Sequence, residues 1–367
     1  MKRLILYGGA FDPIHNGHLR IAEEASKRLD ADVVFIPTAK PRWKEKSASN
    51  EDRLAMLKIA LEEVNNPRFH VSDIEMKRKD DIETYTSDTI KEFEKLYPKC
   101  ELCLLIGGDQ VAQFDKWHEP YYIKEKAKIY FVSRDGYKDP NENARRFEMT
   151  YLADFDAGDV SSTSIKELKY IDTPLSVLKY IEDHSLYFVN KLETYLSHKR
   201  LKHSLSVARL SYEIAVDNHL ENPGRAYIAG TLHDIGKEIP DEEAKKMVEG
   251  LDKYPNWAYH QFVGAYLAEN EFFIKDKEIL EAIRVHCLGA PNMSVLSKII
   301  YAADKIDPER GWDSKKYIEL CKKDIEFGFL AVLRANYDFL EAKKKGSSNS
   351  VFVSRECFEY YLGGKNR

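Results

Sequence analysis

Two groups of residues in this 367-residue chain have the types and spacings needed for chemistry on phosphates. The first is the run GGAFDPIHNGH, residues 8–18. Gly8 and Gly9 carry no side chain to hold a phosphate away from the backbone, Asp12-Pro13 interrupts the chain, and a helix beginning near Gly17 would offer its N-terminus to an anion. His15 and His18, three apart at that helix start, can converge on one phosphoryl group that develops negative charge. Ala10, Phe11 and Asp12 complete the turn between the glycines and the histidines. The second group is His203, the adjacent pair His233 and Asp234, His260, His286 and Asp304, spread over successive predicted helices. A lone histidine on an apolar helix is ordinarily a core residue, but six imidazoles and carboxylates together could hold two divalent ions bridged by Asp234. Two such ions would lower the pKa of a bridging water and clamp the phosphate under attack, while Lys237, Arg200 and Arg310 bind the remaining phosphates. His70, His118, His184, His198 and His219 fall outside both groups and are assigned no chemistry.

The elements that must position these residues differ between the two halves. Apolar spacing predicts strands at 3–7, 33–37, 69–72, 102–106 and 129–133, with helices between them at 18–29, 50–64, 85–97 and 110–117. That alternation implies an α/β, Rossmann-like, doubly wound parallel sheet, whose ligands collect at the carboxyl ends of strands. Residues 8–18, Gly107 to Asp109, and Ser133 with Arg134 all fall there. After about Tyr187 the period is helical throughout, so an all-α helical bundle is expected, with the boundary between Leu186 and Lys199. The domains are accordingly 1–190 and 191–367. The stretch KKKGSSNS, residues 343–350, reads as an exposed loop before a short C-terminal element, and no internal repeat is found.

Length alone favours two domains over one core. A net charge of −5 argues against a general nucleic-acid binder. No stretch approaches the roughly 18 apolar residues of a membrane span, and the apolar run after Met1 is too short for a signal peptide. Five cysteines, an odd number scattered over the chain, suit a reducing compartment. Cytoplasmic location is the default that follows. Cys100 and Cys103 form a CxxC, but it enters a predicted strand and no second pair completes a zinc site, so strand packing is expected.

The run at 8–18 resembles the HxGH signature of the nucleotidylyltransferase superfamily, in the form close to bacterial nicotinate mononucleotide adenylyltransferases. PTAKPRWK, residues 37–44, occupies the place of that family's Pro-Pro-His-Lys loop; Arg42 and Trp43 depart from it, and Lys44 would neutralise triphosphate oxygens. TYTSDTI, residues 84–90, is similar to the stretch at the nicotinate mononucleotide pocket and carries over Thr86 and Asp88. LIGGDQ followed by FDKW carries over Gly107, Gly108, Asp109 and Trp117, the tryptophan stacking on the pyridine ring. VSSTSIK, residues 160–166, resembles the second signature, with Ser161, Ser162, Thr163 and Ile165 at the triphosphate and Lys166 where arginine is usual. The resemblance continues through Tyr187. It implies transfer of the adenylyl group of ATP to nicotinate mononucleotide with Mg²⁺, giving nicotinate adenine dinucleotide and pyrophosphate. The mononucleotide's own phosphate would attack, so His15, His18, Lys44, Arg134 and Lys166 serve to stabilise charge. Another phosphorylated acceptor, such as phosphopantetheine, is the alternative. A class I aminoacyl-tRNA synthetase is disfavoured, since no KMSKS-like loop follows.

The second half resembles HD phosphohydrolases, more narrowly the YqeK-like group. The matching pieces are RLKHS with Arg200 and His203, HDIGK with Lys237, His260 with Gly264, His286 with Gly289, and Asp304 followed by Ile-Asp-Pro-x-Arg310. Cys287 stands where threonine is frequent and Asp307 where glutamate is. The resemblance implies symmetrical hydrolysis of diadenosine tetraphosphate to two ADP at a dinuclear centre in which iron is typical. A different nucleotide phosphohydrolase, or a nucleotide-sensing module, is the alternative. A homo-oligomer is left open.

Overall fold

The computed structural model describes residues 2–39, 48–78, 84–133, 142–154, 160–311, 313–344 and 354–363. Arg42, Trp43, Lys44 and Arg134 lie outside the described residues, as does most of the 343–350 stretch. The chain divides into two compact units: Met1–Lys166 with Asp172–Tyr187, and Glu167–Ile171 with Phe188–Arg367.

Among its described residues the first unit is built on a six-stranded sheet in the order β3-β2-β1-β4-β5-β6, with every strand pairing parallel. The strands are β1 (Lys2–Gly9), β2 (Asp32–Pro37), β3 (Phe69–Val71), β4 (Cys100–Gly107), β5 (Ala127–Ser133) and β6 (Thr150–Asp154). Runs such as LILY and LCLLI are apolar at every position because helices cover both faces of a parallel sheet. Ile5, Leu6, Val33, Phe35, Cys103 and Leu105 are all buried. Cys100 and Cys103 are free thiols on this strand, and burial pushes the Cys103 thiol up to about 11. The order reverses direction between β1 and β4, so the crevice at their carboxyl ends is the place for a ligand.

Two local expectations need correction. The sixth strand, β6, was not expected; it is a short edge strand whose register against β5 shifts between Phe131 and Val132, which blurs its periodicity. The helix expected at 110–117 is instead a short helix, Gly108–Val111, then a 3₁₀ turn, Phe114–Lys116. The Asn143 side-chain amide donates to the carbonyls of Val111 (3.1 Å) and Ala112 (3.3 Å), which a continuing helix would have used. A further helix, Pro120–Lys126, follows Glu119, whose φ of 53° is left-handed, with proline at its first position.

Among the described residues of the second unit there are helices and no strands. The long helix His198–Asp217 lies against Gly224–Leu232, where a Cβ on Gly230 would fall 2.7 Å from the Ala208 Cα. Tyr259–Asn270, Lys277–Val285 and Val295–Ile306 complete the set that carries the candidate ligands, and their apolar faces bury Val263, Ile283, Ile299 and Ile300.

Candidate active sites

In the first unit, His15 is the last residue before the helix Asn16–Leu29, with extended backbone (φ −149°, ψ 167°). Its carbonyl accepts from the amides of His18 (2.9 Å) and Leu19 (3.3 Å), so the first turn of the helix sets the two rings side by side. Their centroids are 3.7 Å apart at an interplanar angle of 30°. Gly17 is required here: a Cβ on it would meet the His15 ring at 3.0 Å and Val160 at 3.0 Å. His15 is buried and His18 half-buried. The Phe11 ring is also buried and packs edge-on against His18, with centroids 5.1 Å apart, so its side chain supports the histidines rather than lining open space.

The two signatures of this unit are tied together by buried Asp12. Its Oδ2 accepts from the Lys166 ammonium at 2.6 Å, and its Oδ1 from the Tyr187 hydroxyl at 2.8 Å and the Ala48 amide at 3.3 Å. Burial, reinforced by that carboxylate, pushes the Tyr187 hydroxyl well above its ordinary range. The Ser162 hydroxyl donates to the Pro13 carbonyl at 2.9 Å, which docks the short helix Ser162–Lys166 onto the histidine turn. Ser161 and Ser164 cap each other: the Ser164 amide donates to the Ser161 hydroxyl at 3.0 Å and the Ser161 amide to the Ser164 hydroxyl at 2.9 Å. Thr163 is exposed and Ile165 buried. Lys166, expected to stabilise charge on the reacting phosphates, is thus held at Asp12. Fully buried Arg53, which sequence reading missed, donates to the carbonyls of Ala10 and Thr38 and fastens the ends of β1 and β2.

A cavity of about 540 Å³ opens at the end of β1 and is lined by Gly8, Gly9, Ala10, Thr86, Asp109 and Trp117. A Cβ on Gly8 would meet nothing within 4 Å, so the missing side chain leaves open space. Trp117 lines the cavity while packing on Phe114, with ring centroids 4.9 Å apart. Asp88, Gly107 and Gly108 are not part of this wall; Asp88 pairs with Lys91 at 3.3 Å instead. His118 and Glu75, also in this wall, were missed from sequence. His118, assigned no chemistry, stacks on Tyr85 at 4.2 Å and meets the Ser87 hydroxyl at 3.0 Å. Glu75 is buried in the wall, accepting from the Thr89 hydroxyl at 2.8 Å, and burial pushes its carboxyl up. In the sequence it looks like a surface acid after β3, and nothing in its spacing signals otherwise.

In the second unit, the six candidate ligands come together. His203 and Asp304 sit within the helices His198–Asp217 and Val295–Ile306, His260 opens Tyr259–Asn270, and His233 and His286 end Gly224–Leu232 and Lys277–Val285. The turn after His233-Asp234 reaches the His260 helix because position 236 is glycine: a Cβ there would lie 2.9 Å from both the Gly264 amide nitrogen and the His260 carbonyl. His203, His233 and Asp304 form one cluster, and His233, Asp234 and His286 another, with ligand atoms within 4.8 Å of one another in each. His260 stands outside those two clusters, although its Nε2 is 3.3 Å from Asp234 Oδ1.

The donor set fits divalent metal. Buried His233 Nε2 makes no hydrogen bond, yet lies 3.7 Å from an Asp304 oxygen and 3.8 Å from an Asp234 oxygen. Burial alone would raise both carboxyls, but the neighbouring imidazoles hold Asp234, and Lys305 with His203 holds Asp304, well below the usual carboxylate range. Burial pushes His260 down to about 3. The expected phosphate cations lie against these same groups: Arg200 reaches Asp234 at 3.4 Å, Arg310 donates to Asp304, and Lys237 meets His260 at 3.2 Å. Lys305, which sequence reading missed, is 3.3 Å from Asp304.

Residues 6–168 match the cytidylyltransferase-like family, and residues 200–309 the HD domain family. A Mycoplasma genitalium protein named probable nicotinate-nucleotide adenylyltransferase/Ap4A hydrolase is 33% identical over 346 residues, covering 91% of this chain and 97% of its own length. A Mycoplasma pneumoniae protein of the same name is 32% identical over 342 residues, 90% of this chain and 98% of its own. An Oceanobacillus iheyensis protein named probable nicotinate-nucleotide adenylyltransferase is 35% identical over 199 residues, 51% of this chain and 97% of its own. Among the described residues no helix is long and apolar enough to cross a membrane. With a cytidylyltransferase-like unit followed by an HD unit, and with relatives alike over nine-tenths of its length, the chain belongs to the nicotinate-nucleotide adenylyltransferase/Ap4A hydrolase family.

Proposed function

We propose that the chain is a bifunctional enzyme whose first unit transfers the adenylyl group of ATP to nicotinate mononucleotide and whose second unit hydrolyses diadenosine tetraphosphate to two ADP. The observation that carries this reading is the presence in one chain of an open cavity bounded by Gly8, Thr86 and Trp117 and of a separate histidine–carboxylate cluster.

In the first reaction, a 5′-phosphate oxygen of the mononucleotide forms a bond to the α-phosphorus of ATP as the bond to the β-phosphate breaks and pyrophosphate leaves. His15 and His18 stabilise the charge that builds on the phosphoryl oxygens. Trp117 offers its indole face to the pyridine ring, and the Gly8–Gly9 backbone leaves room for phosphate. Lys44 and Arg134 are assigned to the triphosphate, and Mg²⁺ accompanies ATP as its counter-ion.

In the second, His203, His233, Asp234, His260, His286 and Asp304 would hold two divalent ions, for which we favour iron. Bound there, metal supplies a water of lowered pKa and neutralises phosphate charge. Asp234, a member of one cluster and 3.8 Å from the His233 Nε2 that both clusters share, would serve as the catalytic carboxylate beside the ions, while Arg200, Lys237 and Arg310 bind the outer phosphates.

The test uses the purified full chain with ATP plus nicotinate or nicotinamide mononucleotide, and separately with diadenosine tetraphosphate, alongside His18→Ala and His233→Ala. His18→Ala should lower adenylyl transfer by about 10²–10³-fold and keep hydrolysis, and His233→Ala should lose hydrolysis and keep transfer. Loss of both activities in either variant contradicts two independent sites.

A further inference from the structure

The four candidate histidine ligands all turn Nε2 toward the two carboxylates, but they are held in that pose in two different ways. His233 Nδ1 faces the Gly230 carbonyl at 2.7 Å, His286 Nδ1 the Ile283 carbonyl at 2.7 Å, and His260 Nδ1 the Trp257 carbonyl at 2.9 Å. A carbonyl can only accept, so Nδ1 carries the proton and Nε2 keeps its lone pair for a metal. In each case the acceptor is the backbone three residues earlier, which no side-chain substitution removes. His203 is different: its Nδ1 faces Asp307 Oδ2 at 2.6 Å.

We propose that Asp307 is a positioning residue that sets the tautomer of His203 and thereby completes one of the two metal sites. Asp307 is fully buried, at the end of the helix Val295–Ile306 that also carries Asp304. Its second oxygen accepts from the Ser206 hydroxyl at 2.6 Å and from the Glu309 amide at 3.3 Å. Ser206 lies three positions beyond His203, on the same helix face, so the same carboxylate grips the His203 helix twice. One oxygen therefore answers an obligate backbone donor and the other answers His203. The inference rests on the two-ion reading of this unit, but not on which phosphate it hydrolyses.

Asparagine at 307 keeps the shape and reverses the chemistry. Its carbonyl oxygen would take the side of the Glu309 amide and its NH₂ group would face His203 Nδ1. Nδ1 must then accept, the ring proton moves to Nε2 beside Asp304, and Nε2 no longer offers a lone pair to a metal. Outer partners of metal-bound histidines typically change metal affinity by about 10–100-fold.

The experiment is Asp307→Asn in the full chain, with two readouts that do not depend on turnover. The first is ¹⁵N NMR of the histidine side chains in metal-stripped protein at a pH where they are neutral. The expected result is a switch of His203 alone from Nδ1–H to Nε2–H, with His233, His260 and His286 unchanged. The second is Mn²⁺ binding to the stripped protein, expected to weaken by about 10–100-fold at one of two sites and to hold at the other. Asp307→Ala, which removes the acceptor without supplying a donor, should leave His203 in a mixture of tautomers. An Asp307→Asn chain with an unchanged His203 tautomer overturns the proposal. So does a general loss of the other three histidine signals, which would make Asp307 a packing residue only. A wild-type chain that binds no Mn²⁺ defeats the two-ion reading instead.

Discussion

The two units solve the same problem, holding phosphate chemistry in place, with opposite materials. In the first, the site is made of what side chains leave open: Gly8 and Gly9 at the end of β1, a helix start at His15, and a cavity beyond them. Its charged groups largely hold the turns together, as Asp12 holds Lys166, Tyr187 and the Ala48 amide. In the second, the site is made of side chains carried on helices, and the backbone's part is to fix which ring nitrogen faces inward. A strand-end site gives room to a large substrate, whereas a helix-borne site gives the close, rigid donor set that a cation requires.

The contrast predicts that substitutions fail differently in the two units. The largest effect is expected for His233→Ala, which removes a ligand shared by both metal clusters; diadenosine tetraphosphate hydrolysis should fall to background while adenylyl transfer persists. His18→Ala should be milder, lowering kcat for adenylyl transfer by about 10²–10³-fold, since other cations share the charge. A hydrolysis defect in His233→Ala no larger than the transfer defect in His18→Ala would erase the distinction. Next, Asp12→Ala should destabilise the first unit by roughly 3 kcal/mol, because it strands a partly buried ammonium and frees three anchored segments. A denaturation midpoint within error of wild type would show that Asp12 is not the tie between the two signatures.

Smaller still, Trp117→Ala should raise KM for the mononucleotide by about tenfold, from a stacking contribution of roughly 1–2 kcal/mol, and leave KM for ATP unchanged. An equal rise for both substrates would move Trp117 from ring recognition to general packing against Phe114. The smallest effect concerns Glu75. Burial raises its carboxyl in the folded state, with Arg78, Thr89 and Glu92 as the neighbouring groups, so the fold favours the protonated form. Its contribution to stability is complete below the unfolded-state value of about 4.3 and is lost as pH rises through the higher folded value. Glu75→Gln keeps an acceptor for Thr89 and abolishes that loss, so its melting temperature should gain on wild type between pH 5 and 8. A constant difference across that range would mean the carboxyl is charged without penalty.

Much of the first fold was legible because parallel strands buried on both faces write themselves as uninterrupted apolar runs; LILY and LCLLI could hardly be anything else. β6 was not legible, being an edge strand with a register shift, nor was the break after Val111, which depends on the side chain of Asn143 more than 30 residues later. The ligand histidines could be found because imidazoles at these spacings have little other use. His118, Glu75 and Arg53 could not, because what makes each notable is a neighbour distant in the chain: Tyr85, Thr89, and the Ala10 and Thr38 carbonyls.

By itself, then, the sequence determined the two element patterns, the glycine–histidine turn and the six metal-type donors, since residue type and local period are written along the chain. Tertiary structure alone decided the rest. It set Lys166 on Asp12 rather than in open solvent, left Asp88 outside the cavity and brought His118 into it, and placed Asp307 against His203. Partners that lie a hundred residues apart are chosen by how helices and strands pack, and no spacing rule reaches that far.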